Sequence, residues 1–352
     1  MAARVRVAVL YGGCSQEHDI SRASAAAVLG HLDPGRFDPV GLYVTKSGQW
    51  VTDDQPLRGA GDVALGGLTQ AMTVLRSCDV AFPIMHGRCG ADGTVQALLE
   101  LIGVPYVGSG VLAGAVASDK DATRRLLAGT GLAVVDTVVL TGSGELSGAD
   151  RQRLGLPVFV KPARCGSSIG VSRVTAWSEL PSAITAARSS DGKVLVEPEV
   201  SGREIGVAVL AYPGGRLVTG PPLEISISPR RPFFDYLAKY ADRDTTLRVP
   251  APLEPDRDAL LRELAVRAYR TLGCRGQARV DFFVDEDGVP VLNGVSTVPG
   301  LTARSQVPRI WAAAGLSFAD LLTVLVETAL REGDEPSSRC RPGVDGPAFR
   351  SS

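Results

Sequence analysis

The sequence predicts an α/β and α+β protein whose N-terminal part is a doubly wound parallel-sheet domain. Three observations carry this. Apolar strand-length runs alternate with helix-length segments through the first 118 residues. A strand, a glycine-bearing loop and a second strand follow at 157–174, the order of an antiparallel hairpin rather than of a strand feeding a helix. From about residue 204, strands flank one strong helical pattern.

Arg4 to Leu10 alternates and then runs apolar, as a buried first strand does. Arg6 interrupts that run before the Gly12-Gly13 turn, which argues against a signal peptide. Ser21 to Leu32 is an Ala-rich helix, Phe37 to Val44 a second strand and Cys78 to Ile84 a third. Thr94 to Ile102 is helical, and Pro105-Tyr106-Val107 begins a short strand. The first domain is expected to span 1–118.

Ser118 to Gly129 predicts a helix capped by Ser118 or Asp119, followed by the loop TGSGELSG. The strand 157–162, the loop Gly166–Gly170, the strand Val171–Val174, a helix Ser178–Arg188 and a strand Lys193–Glu197 complete a central unit, 119–203. A third unit, 204–334, holds strands at Gly206–Leu210, Ala278–Val284 and Val289–Leu292, a hairpin turn at Asp285–Gly288, and helices at Asp256–Leu272 and Ser317–Arg331. Residues 335–352 lack periodicity and are rich in Pro, Ser and Arg, so they are expected to be disordered.

Thirty-seven basic residues oppose 38 acidic ones, which leaves no general field for nucleic acid or an anionic membrane. No apolar run approaches the length of a membrane span. The six cysteines contain no CxxC pair, against a disulfide framework or structural zinc. Cys14, Cys89 and Cys165 sit in glycine-bearing loops, where a redox or metal role competes with a plain packing role.

Neither a Walker A loop nor a dinucleotide GxGxxG follows any strand. Gly166-Ser167-Ser168-Ile169-Gly170, with Lys161 just before it, is either an ordinary turn or a cover for a polyphosphate. Glu197 and Glu204 read equally as strand-end carboxylates in water. His18 and His86 read as loop histidines, Tyr236 and Tyr240 as core aromatics. Arg279, inside an apolar strand, needs an anion.

Six stretches occur in one order: YGGCSQEHDISRASA, FPIMHGRCGADGTVQALLE, FVKPARCGSSIGVSRV, KVLVEPEVSGREIGVAVL, GCRGQARVDFFV and LNGVSTVPGLTARSQ. Together they resemble the D-alanine–D-alanine ligase family of the ATP-grasp fold, over residues 4–330. The resemblance implies a cytoplasmic, homodimeric ligase of peptidoglycan precursor synthesis that uses ATP with Mg²⁺ or Mn²⁺. One carboxylate takes the γ-phosphoryl group, and the amine of a second D-alanine attacks the acyl phosphate. It implies Lys120, Lys161, Ser168 and the lid residue Lys239 for the phosphates, Glu197 and Val200 for the adenine, and Glu204 for the ribose. It further implies Glu17 for the first ammonium, bonded to Ser167 and Tyr240 on closure, and His86 near the first carboxylate. Arg279 and the Gly300 N–H would face the developing oxyanion, with Ser305 and Gln306 at the second substrate.

The chain departs from the family where metal is bound. Beside Asp281, the family's N-E-V-N-T reads Asn293-Gly294-Val295-Ser296-Thr297, leaving Asp281 and a weak Ser296 as ligands. Ala91 and Leu237 replace glutamates, and Gln306 also departs near the amino-acid pocket. Two further readings are therefore an ATP-grasp ligase for other amino acids and a nucleotide-binding pseudoenzyme.

Overall fold

A computed structural model describes residues 3–53, 67–226, 245–285 and 287–334. Tyr236, Leu237, Lys239, Tyr240, Glu286 and the 335–352 tail lie outside the described residues.

The chain begins with β1 (Val5–Gly12), α1 (His18–His31), β2 (Phe37–Val44), β3 (Trp50–Asp53), α2 (Gly67–Arg76), β4 (Val80–Pro83), α3 (Thr94–Ile102) and α4 (Val111–Ser118). Their sheet runs β3-β2-β1-β4, parallel except for the antiparallel edge β3. One face packs Val7, Val9 and Phe82 against Ala25 and Val28 of α1; the other packs Ala8 and Leu10 against Leu75 and Leu99. Apolar residues on both faces of β1 are what a doubly wound sheet requires. The expected strand at Pro105–Val107 shrinks to one parallel bridge, Ala81 with Tyr106.

Next come α5 (Lys120–Ala128), β5 (Val138–Thr141), α6 (Gly148–Leu154), β6 (Val158–Pro162), β7 (Ser172–Val174), α7 (Leu180–Arg188) and β8 (Lys193–Pro198). The sheet order is β5-β8-β6-β7, all antiparallel, with β6 and β7 forming the expected hairpin. The helix expected at Ser118–Gly129 is α5, with Asp119 as its cap, whereas α4 just before it was not expected; the extended backbone of Asp119 separates the two.

The last part holds β9 (Arg203–Ala211), β10 (Leu217–Thr219), β11 (Leu223–Ser226), β12 (Thr246–Arg248), α8 (Pro255–Thr271), β13 (Gln277–Val284), β14 (Pro290–Ser296), α9 (Gln306–Ala313) and α10 (Phe318–Asp334). Its sheet runs β12-β11-β9-β13-β14, with β10 paired to β9. The three parts interlock: Ala113 and Ala117 of α4 enter the core beneath β9 and β13, while Leu321 and Leu325 of α10 pack under β4 and α1. Among the described residues no single helix is long and apolar enough to cross a membrane.

Candidate active site

A cleft of about 1960 Å³ opens where the three sheets converge, more than the ~300–1000 Å³ that one small ligand usually occupies. Glu17, His86, Lys120, Lys161, Ser167, Ser168, Glu197, Val200, Glu204, Arg279, Asp281, Ser296, Gly300, Ser305 and Gln306 all line it. The sequence scattered them over 290 positions; the fold brings them to one surface.

One wall is a buried cation cluster. Asp119 Oδ1 accepts the N–H groups of Asp121 and Ala122, both at 3.1 Å, which fixes Lys120 at the first position of α5. Arg124 follows one turn later on the same helix face. Phe159 pairs with Glu197 and Lys161 with Leu195, so Lys161 and Glu197 are diagonal neighbours on one sheet face. Lys161 Nζ lies 2.7 Å from Glu197 Oε2. Arg124 donates to both Glu197 oxygens, to Thr137 Oγ1 (2.8 Å) and to the Asn293 carbonyl (3.3 Å). Lys120 Nζ donates to the Cys165 carbonyl at 2.7 Å.

Three cations thus face one carboxylate, with Arg124 and Glu197 only 4% and 3% exposed. Burial, then the charges of Lys161 and Arg124, pull the Lys120 ammonium down to about 8. Lys161 is lowered too, mainly by burial. Burial opposes charge on Glu197, yet Lys161 and Arg124 outweigh it and hold the carboxyl below its usual range. Arg124 Nε is buried with no hydrogen-bond partner. Surplus buried positive charge with an orphaned donor fits a polyphosphate. Glu197 differs from its expected role in one respect: its carboxylate is committed to Arg124 and Lys161, so only its backbone remains for an adenine edge.

The opposite end carries Glu17. Gly12, at φ 90°, turns the chain out of β1; a Cβ there would stand 2.1 Å from the Val44 carbonyl oxygen. Ser15 Oγ donates to the His86 carbonyl at 2.6 Å and accepts the Glu17 N–H at 3.2 Å. Ser167 Oγ donates to Glu17 Oε1 at 2.5 Å, tying the glycine hairpin to the first sheet. Ser167 and Ser168 both hold left-handed backbone, φ 52° and 58°, a strain of about 1 kcal/mol or more each that concentrates at working sites. Burial lowers His86, and both ring nitrogens are occupied, Nδ1 by the Val298 carbonyl and Nε2 by Ser24 Oγ. That carbonyl can only accept, so Nδ1 carries the proton and Nε2 is the acceptor.

The third wall is the β13–β14 pair. Asp281 stands opposite Gly294 and Arg279 opposite Ser296. Arg279 holds Asp281 in a fork, Nε to Oδ1 at 2.6 Å and the terminal nitrogen to Oδ2 at 2.8 Å. Asp281 Oδ1 and the buried, unpartnered Gln306 Oε1 both border the space where a Gly206 side chain would stand. Gly300 lies against Ser305 Oγ, which is hydrogen-bonded to Thr302 Oγ1 at 2.8 Å. The donors available to a divalent cation are one arginine-held carboxylate and neutral oxygens. Among the described residues no group of three His, Cys, Asp or Glu could hold a metal. These residues do not fit a protein-built magnesium site.

Sequence reasoning missed Arg124, although Lys120-x-x-x-Arg124 spacing on a predicted helix places both on one face. The Asn293 carbonyl carried no sequence signal.

Comparison with known proteins gives the same answer along most of the chain. The family described as "D-ala D-ala ligase N-terminus" matches residues 6–109, and "D-ala D-ala ligase C-terminus" matches 126–327. The D-alanine–D-alanine ligase of Mycolicibacterium smegmatis is 47% identical over 361 aligned positions, covering 94% of this chain and 96% of that protein. That of Mycolicibacterium gilvum is 48% identical, covering 95% and 99%. The structure of the VanG D-Ala:D-Ser ligase from Enterococcus faecalis superposes with a TM-score of 0.81 at 32% identity, covering 93% of this chain and all of that one. The ligase from Coxiella burnetii gives 0.78 at 29% identity, covering 95% and 97%. The fold is therefore ATP-grasp, and the chain belongs to the D-alanine–D-alanine ligase family.

Proposed function

We propose that this chain is an ATP-dependent ligase that joins two D-alanine molecules for peptidoglycan precursor synthesis, using the residues gathered in the cleft. The observation that carries the reading is the surplus of buried cations at one end of a cleft whose other end is a carboxylate–serine bridge, Glu17 to Ser167. Such a cleft accepts a triphosphate and an ammonium group at its opposite ends.

Lys120 and Lys161 hold the phosphates, with Ser168 and the hairpin backbone covering them. The Glu197 backbone and Val200 border the adenine, and Glu204 meets the ribose. Glu17 orients the first D-alanine by its ammonium, and Ser167 draws the hairpin over it; His86 braces this end through Ser24 and Val298. Arg279 and the Gly300 N–H offer positive groups to the developing oxyanion. Ser305 receives the second carboxylate, and Gln306 borders it. Lys239 and Tyr240 would complete closure from the lid, keeping water from the acyl phosphate.

Magnesium or manganese would enter as part of the nucleotide substrate, where it would neutralise phosphate charge, and Asp281 and Ser296 would be its weak protein donors. The chain works as three units, 1–118, 119–203 and 204–334, in the cytoplasm and as a homodimer; the last two rest on family resemblance. Phosphate release from Mg·ATP, assayed with D-alanine beside a panel of other amino acids, tests the function. D-alanine-dependent release with the dipeptide seen by mass spectrometry is expected. Release only with another amino acid, or ATP binding without release, would overturn it.

A further inference from the structure

Two thiols at the rim of the Glu17 end face each other without any role in the reaction above. Cys14 leaves the β1–α1 loop and Cys89 the β4–α3 loop, 75 positions apart, and their sulfurs are 3.8 Å apart. The backbone holds them there. Ser15 Oγ ties the first loop to the His86 carbonyl, and the Cys89 N–H donates to Asp92 Oδ2 at 2.9 Å. Cys89 keeps a left-handed φ of 66°, a conformation that costs a non-glycine residue about 1–2 kcal/mol. The other described cysteines have no such neighbour: Cys78 and Cys274 are buried, and Cys165 turns toward the Ser190 carbonyl.

We propose that Cys14 and Cys89 are a modification site, a dithiol that low-molecular-weight disulfides oxidise to an intrachain disulfide. Cys14 is exposed and Cys89 partly covered. Burial and the Cys14 thiol push the Cys89 thiol up, so Cys14 is the first to react. The Cys14 thiolate attacks one sulfur of the reagent, forming a mixed disulfide and releasing the first thiolate. Cys89, deprotonated as it attacks Cys14 Sγ, forms the protein disulfide and releases the second. Two protein thiols and one disulfide become one protein disulfide and two small thiols, and the two protons go to the leaving thiolates. The sulfurs must close by about 1.8 Å to reach bonding distance. Because Cys14 is three residues before Glu17, closure drags the loop that bears the ammonium-binding carboxylate. This last step rests on the proposed function; the crosslink itself does not.

Incubation of the full chain with oxidised glutathione, followed by intact-mass and peptide mass spectrometry, tests the site. The expected product has lost two hydrogens, contains a Cys14–Cys89 linked peptide and reverts with dithiothreitol. Cys89→Ser should instead retain glutathione on Cys14, and Cys14→Ser should form neither product. Stable glutathione on Cys14 of the unsubstituted chain, or two thiols that stay fully alkylatable, would overturn the proposal. With the crosslink formed, the KM for D-alanine should rise at least fivefold while ATP affinity holds; an unchanged KM would overturn the coupling to Glu17.

Discussion

The α5–β6–β8 wall of the cleft gathers Lys120, Lys161 and Arg124 around the single carboxylate of Glu197, while the β13–β14 wall offers Asp281 opposite Gly294, with Ser296 opposite Arg279. One wall is over-supplied with positive charge and tightly hydrogen-bonded. The other has lost charged oxygen where a cation would be gripped, and its remaining carboxylate is spent on Arg279. The difference teaches that holding a nucleotide and assisting its cleavage are separable properties of one cleft. On the proposed reading, the first rests chiefly on the protein's cations and the second on what the nucleotide brings with it.

The largest effect should come from breaking the rich wall. Lys161→Met removes a buried cation from the proposed phosphate end while Arg124 still pairs with Glu197, and truncating one partner of a buried charge contact between a protein and what it binds costs about 2–5 kcal/mol. ATP affinity should fall by about three orders of magnitude, since 1.4 kcal/mol is tenfold. Calorimetric titration, with a circular dichroism melt to show the variant folded, reads this. A folded variant with unaltered affinity would mean the cluster is structural only.

Restoring the poor wall should come next. A side chain at Gly294 would enter open space, with no heavy atom within 4 Å of its Cβ. Gly294→Glu with Ser296→Asn should therefore fold normally and raise ATP turnover about 100-fold, because metal-assisted charge neutralisation supplies several kcal/mol. Half-saturation by Mg²⁺ should drop together with it. If turnover of the folded double variant stays flat, the missing ligands are not what limits the reaction.

The rich wall also predicts a pH dependence. Only the charged lysine attracts phosphate, and Lys120 in the free protein loses its proton around 8. ATP affinity should be full below that pH and decline up to about tenfold per unit above it. Stability moves the other way. Between about 8 and the ordinary lysine range the unfolded chain binds the extra proton, so the unliganded fold gains stability as pH rises. Lys120→Arg should flatten the affinity profile between pH 7 and 9.5. A decline that persists in that variant would assign it to another group.

Much of this cleft was legible in the sequence, and the reasons are local. Phe37–Val44 and Thr94–Ile102 have the ranges their periodicity predicts, because strand pleat and helix period act within a few residues. The hairpin of β6 and β7 followed from a proline-stopped strand and a glycine loop. Arg124 was overlooked because its partners, Glu197 and the Asn293 carbonyl, lie 73 and 169 positions away and are joined only by tertiary packing. The start of α5 at Asp119 was legible from its capping carboxylate, but α4 was missed for a different reason: its eight residues, Val111–Ser118, are too short and too uniformly small and apolar to show a helical period. The Asp281–Arg279 fork, by contrast, joins residues two apart on one strand face, a spacing visible in Arg279-Val280-Asp281.

The smallest effect separates the two ends of the cleft rather than its two walls. Gly166 packs directly on Glu17, and a Cβ there would come 2.8 Å from Glu17 Oε2. The crowding falls on the tip of a flexible side chain, so Gly166→Ala should cost the fold little while pushing the carboxylate off its Ser167 bond. Losing one such hydrogen bond is worth about 1 kcal/mol, so the KM for the first D-alanine should rise about fivefold. The Lys120–Lys161 cluster does not touch Glu17, and ATP affinity should stay as it was. Parallel loss of both affinities would show that the hairpin serves the nucleotide and the amino acid as one unit, and that the two ends of the cleft are not independent.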